Sequence, residues 1–384
     1  MPRIQSVSVC VARVPLANPV TFSTRTVRAR EYCLIKVLGE NGEEGLGYCY
    51  AVNSSGRILA EAVTSLLAPV VVGHESLRVE WLWRNMYQEA LLQGRTGGVM
   101  RALSAIDTAV WDLNARSAGL PLYQYLGAMA DDRVPAYASG GYYLEGKSDA
   151  DLAQEMADHV QEGFTAVKIK SGLLSPREEE MRLAAVREAI GPDVLLTLDI
   201  NNGWKDLPQA LQYVSRFEKY DPYWIEEPFS PDDLDNHARL AQATRITIAT
   251  GEIEAGRWRF KDLMARGAAS LLQTDATVCG GVTEWRRIAA TAASFGISVS
   301  PHAWHDLHVH LVASTPNATL VEWMPDDHIV NFRRLIDRQL TAEKGQILLP
   351  KAPGLAFRFD AAAIERYGQL YPGQPTPWDT TSAG

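Results

Sequence analysis

The chain has 384 residues, of which 46% are hydrophobic and 22% charged, and a formal net charge of -9. That length exceeds the size at which one core stops growing, so two domains are expected. The acidity argues against nucleic acid or a membrane surface as partner, yet it leaves room for a small anionic substrate, because local charge in a cleft can oppose the global sign.

The opening "MPRIQSVSVCVARVPL" alternates like a strand. It has no basic flank followed by a long apolar run, so neither a signal peptide nor a membrane span is expected. "EYCLIKVLGENGEEGLGYCY" reads as two strands around the turn pair Asn41 and Gly42. Helical patterns follow, the clearest over "GGVMRALSAIDTAVWDLNARSAG", where Met100, Leu103, Ile106, Val110 and Leu113 recur at helical spacing and Gly119 can end the run. Residues 1–128 therefore read as an α+β domain. The cysteines Cys10, Cys33, Cys49 and Cys279 are far apart and lack disulfide or metal spacing, which suits a reducing cytoplasm.

Beyond residue 129 strand and helix alternate. Ser148 caps a helix whose Leu152, Met156 and Val160 share a face and which stops at Gly163. Another starts at Ser175 and Pro176 and stops after Ile190. Strand-like runs are "VPAYASG", "TAVKIKS", "VLLTLDIN", "YWIEEPF", "ITIATGE", "SLLQTDA", "ISVSPH" and "LVEW", eight in all. An open doubly wound sheet and a closed βα barrel both house such an alternation. The polar residues decide: Lys168 and Lys170, Asp199, Glu226, Glu252, Asp275, His302 and Glu322 each fall at the C-terminal end of a different strand. A barrel gathers those ends into one ring, so residues 129–350 are expected to form an α/β barrel, with 351–384 packing back on the first domain.

Singly, each signal has a bland alternative: a solvated edge for "KIK", an acidic loop for "EEP", a satisfied core histidine for His302. Jointly, they would crowd several ionisable groups at one barrel mouth, which is costly unless they pair or bind metal. Asp199, Glu226 and Glu252 end three consecutive strands and would repel one another, raising their pKa values. A divalent cation removes that repulsion, and an all-oxygen set points to magnesium. "PHAWHDLHVH" offers a zinc alternative, but its later part looks helical, which would turn His305 and His308 away from His302.

The order "KIK", "LDIN", "WIEEPF", "TGE", "QTDATVCGG", "SPHAW" and "VEW" resembles the enolase superfamily, specifically its mandelate racemase-like branch, over essentially the whole chain. The resemblance implies that Asp199, Glu226 and Glu252 bind magnesium, with Glu227 supporting them from outside. It implies Lys170 as a base on one face of the substrate, and His302, oriented by Asp275, as acid or base on the other. Lys168 and Glu322 would hold the substrate carboxylate, and Asn201 its hydroxyls. The first domain would cap the mouth, with "LANPVTFSTRTV" and "CYAVNSSG" as loops selecting the substrate. The family often carries an acid in its "GxGE" segment, where this chain has Tyr48 and Cys49. A homo-oligomer is also implied.

Proton removal beside a carboxylate creates an enediolate, and superfamily members use a Lys or His base with magnesium to stabilise it. Lys170 needs a lowered pKa to act as base, which burial, Lys168 and a nearby cation would supply. Dehydration of an acid sugar, an aldonate or aldarate, to a 2-keto-3-deoxy acid is the expected reaction. Racemisation, epimerisation and lactone cycloisomerisation are alternatives, and a catalytically silent barrel acting as a binding protein is a reading of a different class.

Overall fold

The computed structural model describes residues 1–51, 54–324, 329–370 and 376–382. The first sheet is antiparallel. Its strands are β1 (Ile4–Phe22), β2 (Arg25–Gly39) and β3 (Glu44–Tyr50). Gly42, at φ 79°, turns the chain between β2 and β3, as its pairing with Asn41 predicts. Gly45 and Gly47 let β3 lie directly on the helix Gly97–Ser117, since a Cβ on either would stand 2.0 Å from a backbone oxygen of Ala109 or Ala105. Cys33 and Cys49, remote in sequence, are register partners across β2 and β3, and all four cysteines are buried. The sequence spacing missed this proximity because pairing brings distant residues together.

"LANPVTFSTRTV" is not a loop but the tip of the β1–β2 hairpin, bulged between Pro15 and Val20 and turning at Ser23 and Thr24. The tip reaches the barrel: Ser23 Oγ donates to the Ile200 carbonyl. In the other expected loop, "CYAVNSSG", Val52 and Asn53 lie outside the described residues.

The barrel strands are β4 (Arg133–Ser139), β5 (Ala166–Lys170), β6 (Leu195–Asp199), β7 (Trp224–Glu226), β8 (Thr247–Thr250), β9 (Leu271–Leu272), β10 (Ser298–Val299) and β11 (Val321–Trp323). They pair in parallel in chain order from β4 to β10, β11 pairs with β4, and a bridge from Val299 to Ala318 closes the ring. The helices fall where their caps place them. Ser148 and Ser175 form capping boxes with Asp151 and Glu178, and Pro176 opens the second helix. Buried apolar residues from the strands, among them Val167, Leu198 and Ile225, pack against the covering helices and form the core between the two layers.

A short hairpin, β12 (Ala342–Glu343) and β13 (Gln346–Leu348), adds to the N-terminal end of β4. The last strand, β14 (Trp378–Ser382), pairs with β1. Between them, Asp112 on the helix Gly97–Ser117 accepts from Leu355 N at 2.6 Å and Leu46 N at 2.7 Å, tying the returning chain to the first sheet. The same helix meets the barrel through Asp107, which accepts from Thr283 N at 2.9 Å and Thr283 Oγ1 at 2.6 Å. Among the described residues, no helix is long and apolar enough to cross a membrane.

Candidate active site

Strand alternation does put Lys168 and Lys170 on one side of β5, inside the barrel. They stand at different depths. Lys168 is fully buried on the barrel floor, where Nζ donates to Glu226 Oε1 at 2.8 Å and pairs with Glu322 Oε1 at 2.8 Å. Burial opposes its charge, but Glu226 and Glu322 outweigh burial and raise the amine well above its ordinary range. Glu322 sits within β11 rather than at its end and accepts from Ala303 N at 2.6 Å. Burial would raise its carboxyl, but Lys168 and His302 hold it low. Neither Lys168 nor Glu322 lines the open cavity; in this arrangement their charges pair with each other below it.

Lys170 lies one layer higher, lines the cavity and donates to Asp199 Oδ2. The pKa depression expected for it presupposes a nearby cation; with Asp199 as its partner the balance runs the other way. Burial lowers it, but the Asp199 charge overrides burial and the net shift is upward.

Asp199 and Glu226 end β6 and β7 as lateral register partners, and Glu252 follows β8 beyond Gly251. Gly251, at φ 125°, allows that turn under Phe260, whose ring a Cβ would meet at 2.8 Å. One oxygen from each of the three carboxylates comes within 4.8 Å of the others, the only such group among the described residues. Their electrostatics are unequal. Burial and the Asp199 charge push Glu226 up to about 8, whereas burial of Asp199 is overridden by Lys170 and Lys168, which hold it low. Glu252 Oε2 is buried without a hydrogen-bond partner. An all-oxygen triangle with one carboxylate pushed toward protonation and one oxygen orphaned fits a hard dication.

His302 follows β10 and presents Nε2 3.5 Å from Glu252 Oε1. Its Nδ1 lies 3.0 Å from Asp275 Oδ2, which also accepts from Trp304 Nε1 at 2.9 Å. Thr277 N donates to the other oxygen, Oδ1, at 2.7 Å. Burial opposes the imidazolium, but Glu252 and Asp275 outweigh it and lift His302 to about 9.

The remaining histidines have separate duties. His308 Nε2 accepts from Ala276 N at 3.0 Å, His310 Nδ1 from Tyr123 N at 3.3 Å, and His305 packs its ring 4.5 Å from Trp323. Burial lowers all three pKa values, and the group holds no zinc triangle.

A cavity of about 210 Å³ opens between barrel and cap. Lys170, Asn201, Glu227, Glu252, Asp275 and His302 line it. Asn201 binds back to Asp199, with its N at 2.9 Å from Oδ1 and its Nδ2 at 3.2 Å from Oδ2. Sequence reasoning missed Arg30, Arg101, Tyr142 and Trp304. One backbone signal marks the site independently: Asn201, Asn202, Glu227, Ala303 and Trp304 all have positive φ, between 41° and 62°, directly after barrel strands. Such strain in residues other than glycine concentrates where function over-determines the chain.

Comparison with known proteins agrees with this geometry. Residues 4–127 match the mandelate racemase / muconate lactonizing enzyme N-terminal domain, and residues 151–363 match the enolase C-terminal domain-like family. The chain is 32% identical to a 3,6-anhydro-alpha-L-galactonate cycloisomerase of Streptomyces coelicolor, over 96% of this chain and all of that one. It is 31% identical to an L-talarate/galactarate dehydratase of Salmonella typhimurium, over 96% of this chain and 92% of the relative. An L-talarate dehydratase from Polaromonas, solved with magnesium and L-glucarate, superposes with a TM-score of 0.89 at 26% identity over the full length of both chains. With a closed barrel, an antiparallel cap and both family matches on one polypeptide, the chain belongs to the mandelate racemase/muconate lactonizing enzyme group of the enolase superfamily.

Proposed function

We propose that the protein is a magnesium-dependent dehydratase of acid sugars, converting an aldonate or aldarate to its 2-keto-3-deoxy acid. One observation carries this reading: Lys170 and His302 line the same cavity beside the carboxylate triangle. Their strands, β5 and β10, are separated by three steps one way around the ring and five the other, so the two groups approach from nearly opposite sides. The dehydratases and cycloisomerases among its relatives, and the magnesium in its structural neighbours, support it further.

Asp199, Glu226 and Glu252 would hold magnesium, which supplies charge neutralisation at the substrate carboxylate. Lys170 removes the α-proton. To do so it must release Asp199 and become neutral, which follows once the Asp199 charge is engaged elsewhere. Lys168 is likewise released by engagement of Glu226, and its ammonium then serves the enediolate carboxylate from the floor. His302, steadied by Asp275, delivers a proton to the departing β-hydroxyl. Asn201, which lines the cavity, would meet the substrate hydroxyls. A silent barrel would be expected to lack a ligand or a base, and this chain has them all. The Streptomyces relative favours cycloisomerisation of a sugar lactone as the second reading. The wide sequence spacing of the four cysteines supports a reducing, cytoplasmic setting, and family membership supports a homo-oligomer.

The test is to incubate the magnesium-loaded protein with mono- and diacid sugars in deuterated water. We expect a 2-keto acid as product. Deuterium at the α-carbon without keto product would assign an epimerase, a rearranged lactone a cycloisomerase, and inertness across the panel would refute the enzymatic reading.

A further inference from the structure

The cavity is acidic at its floor but basic at its roof. Arg25, Arg30 and Arg101, all from the cap, line it opposite the carboxylate triangle, in a chain whose net charge is -9. Arg30 is the informative one. It projects from β2, is only 7% exposed, and donates through Nε to the Ile329 carbonyl at 2.7 Å. Its guanidinium lies 5.3 Å from the Tyr50 ring centroid. Other buried cations of this protein have carboxylate partners: Arg116 pairs with Asp112 at 2.7 Å, Arg182 with Glu179 at 3.4 Å and Lys168 with Glu226 at 2.8 Å. Among the described residues no carboxylate pairs with Arg30; its polar surroundings are the phenols of Tyr32, Tyr50 and Tyr142. A guanidinium does not shed its proton, so a buried one without an anion is costly until an anion arrives.

We propose that the anion is the far end of the substrate: the acid sugar is a dicarboxylate, with its second carboxylate bound by Arg30 and assisted by Arg101. This deepens the dehydratase reading and rests on it. Aromatic contacts link Arg30 to the groups around the triangle. Tyr50, beneath the Arg30 guanidinium, packs 5.7 Å from the Trp304 ring, and Trp304 donates to the carboxylate that holds His302. Tyr142 stands 5.1 Å from Lys170 Nζ on the other side. A diacid with one carboxylate at the triangle would pass between Lys170 and His302 toward Arg30, which lines the same cavity. Arg101 is half-buried and commits NH1 to the Tyr50 carbonyl at 3.1 Å, leaving its other nitrogens for the ligand. A planar fork suits a carboxylate, which can accept two parallel bonds. A monoacid ends in a neutral alcohol there and leaves the buried cation unpaired, a mismatch that sites of this kind reject strongly.

The experiment uses magnesium-loaded protein and matched sets of one configuration: an aldarate, the corresponding aldonate, and the aldonate phosphorylated on its terminal hydroxyl. Both kcat/KM and the ligand-induced rise in Tm are read. We expect the aldarate to lead the aldonate by at least about a hundredfold in kcat/KM. Arg30→Gln should shrink that ratio below about tenfold, and Arg30→Lys should restore part of it. If Arg30→Gln does not fold, the half-buried Arg101→Gln and the wild-type comparison carry the test. Equal or better use of the aldonate overturns the proposal, and preference for the phosphorylated aldonate overturns it in favour of a phosphate at that end. Absence of turnover with a larger Tm rise from aldarates refutes the dehydratase reading while supporting the diacid site; equal Tm rises from aldarate and aldonate refute the diacid site itself.

Discussion

Lys170 and Asp199 are register partners on neighbouring strands β5 and β6, and their side chains are hydrogen-bonded at the edge of the cavity. The proposed base is thus tied to a proposed metal ligand, which couples its protonation to occupancy of the triangle. Lys170→Ala is expected to reduce α-deuterium exchange by about 10²–10⁴-fold, the usual worth of a positioned base. Lys170→Arg should lose as much, because arginine keeps the charge but cannot give up its proton. Exchange rates measured by mass spectrometry check this, and an active Lys170→Arg enzyme would show that only the charge matters.

Lys168 poses a different question, because it is enclosed by Glu226, Glu322 and the more distant Asp199. Replacing it with methionine strands buried carboxylates, and such losses typically cost about 3–5 kcal/mol. We expect Lys168→Met to lower stability by that order in denaturant titrations of the ion-free protein. Adding Glu322→Gln should recover part of the loss by removing one stranded charge. A single variant as stable as wild type would mean the floor does not depend on this ion pair.

The difference between these lysines also shows which parts of the structure were legible beforehand. Strand period placed both on one side, and the recurrence of acids at strand ends singled out the barrel and Asp199, Glu226 and Glu252, because each signal is local in sequence. Depth along the barrel axis was not local. It depends on how β5 staggers against β4 and β6, which decides that Lys168 pairs with the floor and Lys170 meets the cavity. Arg30 escaped notice for a similar reason. It lies in an ordinary strand of the cap, and only the packing of that sheet on the barrel brings it to the cavity.

The triangle also predicts a pH dependence. Glu226, at about 8, and His302, at about 9, both bind a proton more tightly in the folded ion-free protein than in the unfolded chain. From pH 4.5 to about 8 for Glu226, and from 6.5 to about 9 for His302, the folded state holds protons that the unfolded chain has released. These two groups therefore lower stability as pH rises through their windows, and above pH 6.5, where the buried histidines are neutral in both states, that contribution sets the slope. Calorimetric Tm values in EDTA should decline from about pH 6.5 to pH 9, and Glu226→Gln should flatten the decline. Magnesium should stabilise most at the alkaline end, where no proton competes for the carboxylates. A level EDTA profile would count against the convergence of charge described here.

Asp275 makes the last case, because one of its oxygens serves two donors, His302 Nδ1 and Trp304 Nε1. The bond to Asp275 keeps a proton on Nδ1, so that Nε2, toward the cavity, is the nitrogen that takes up and gives away the proton. Asp275→Asn offers an amide that can present its N–H to the ring and favour the wrong tautomer, so dehydration should fall by about 10²–10⁴-fold, with the His302 titration moving down from about 9. Trp304→Phe is milder. It keeps most of the packing, removes only the second donor and leaves Asp275 freer to rotate, so we expect a loss of about tenfold in kcat, little change in KM, and a smaller shift of the same titration. Histidine NMR across the pH range, read beside steady-state kinetics, separates this from a purely structural role: a general loss of packing would lower the melting temperature without moving the His302 titration.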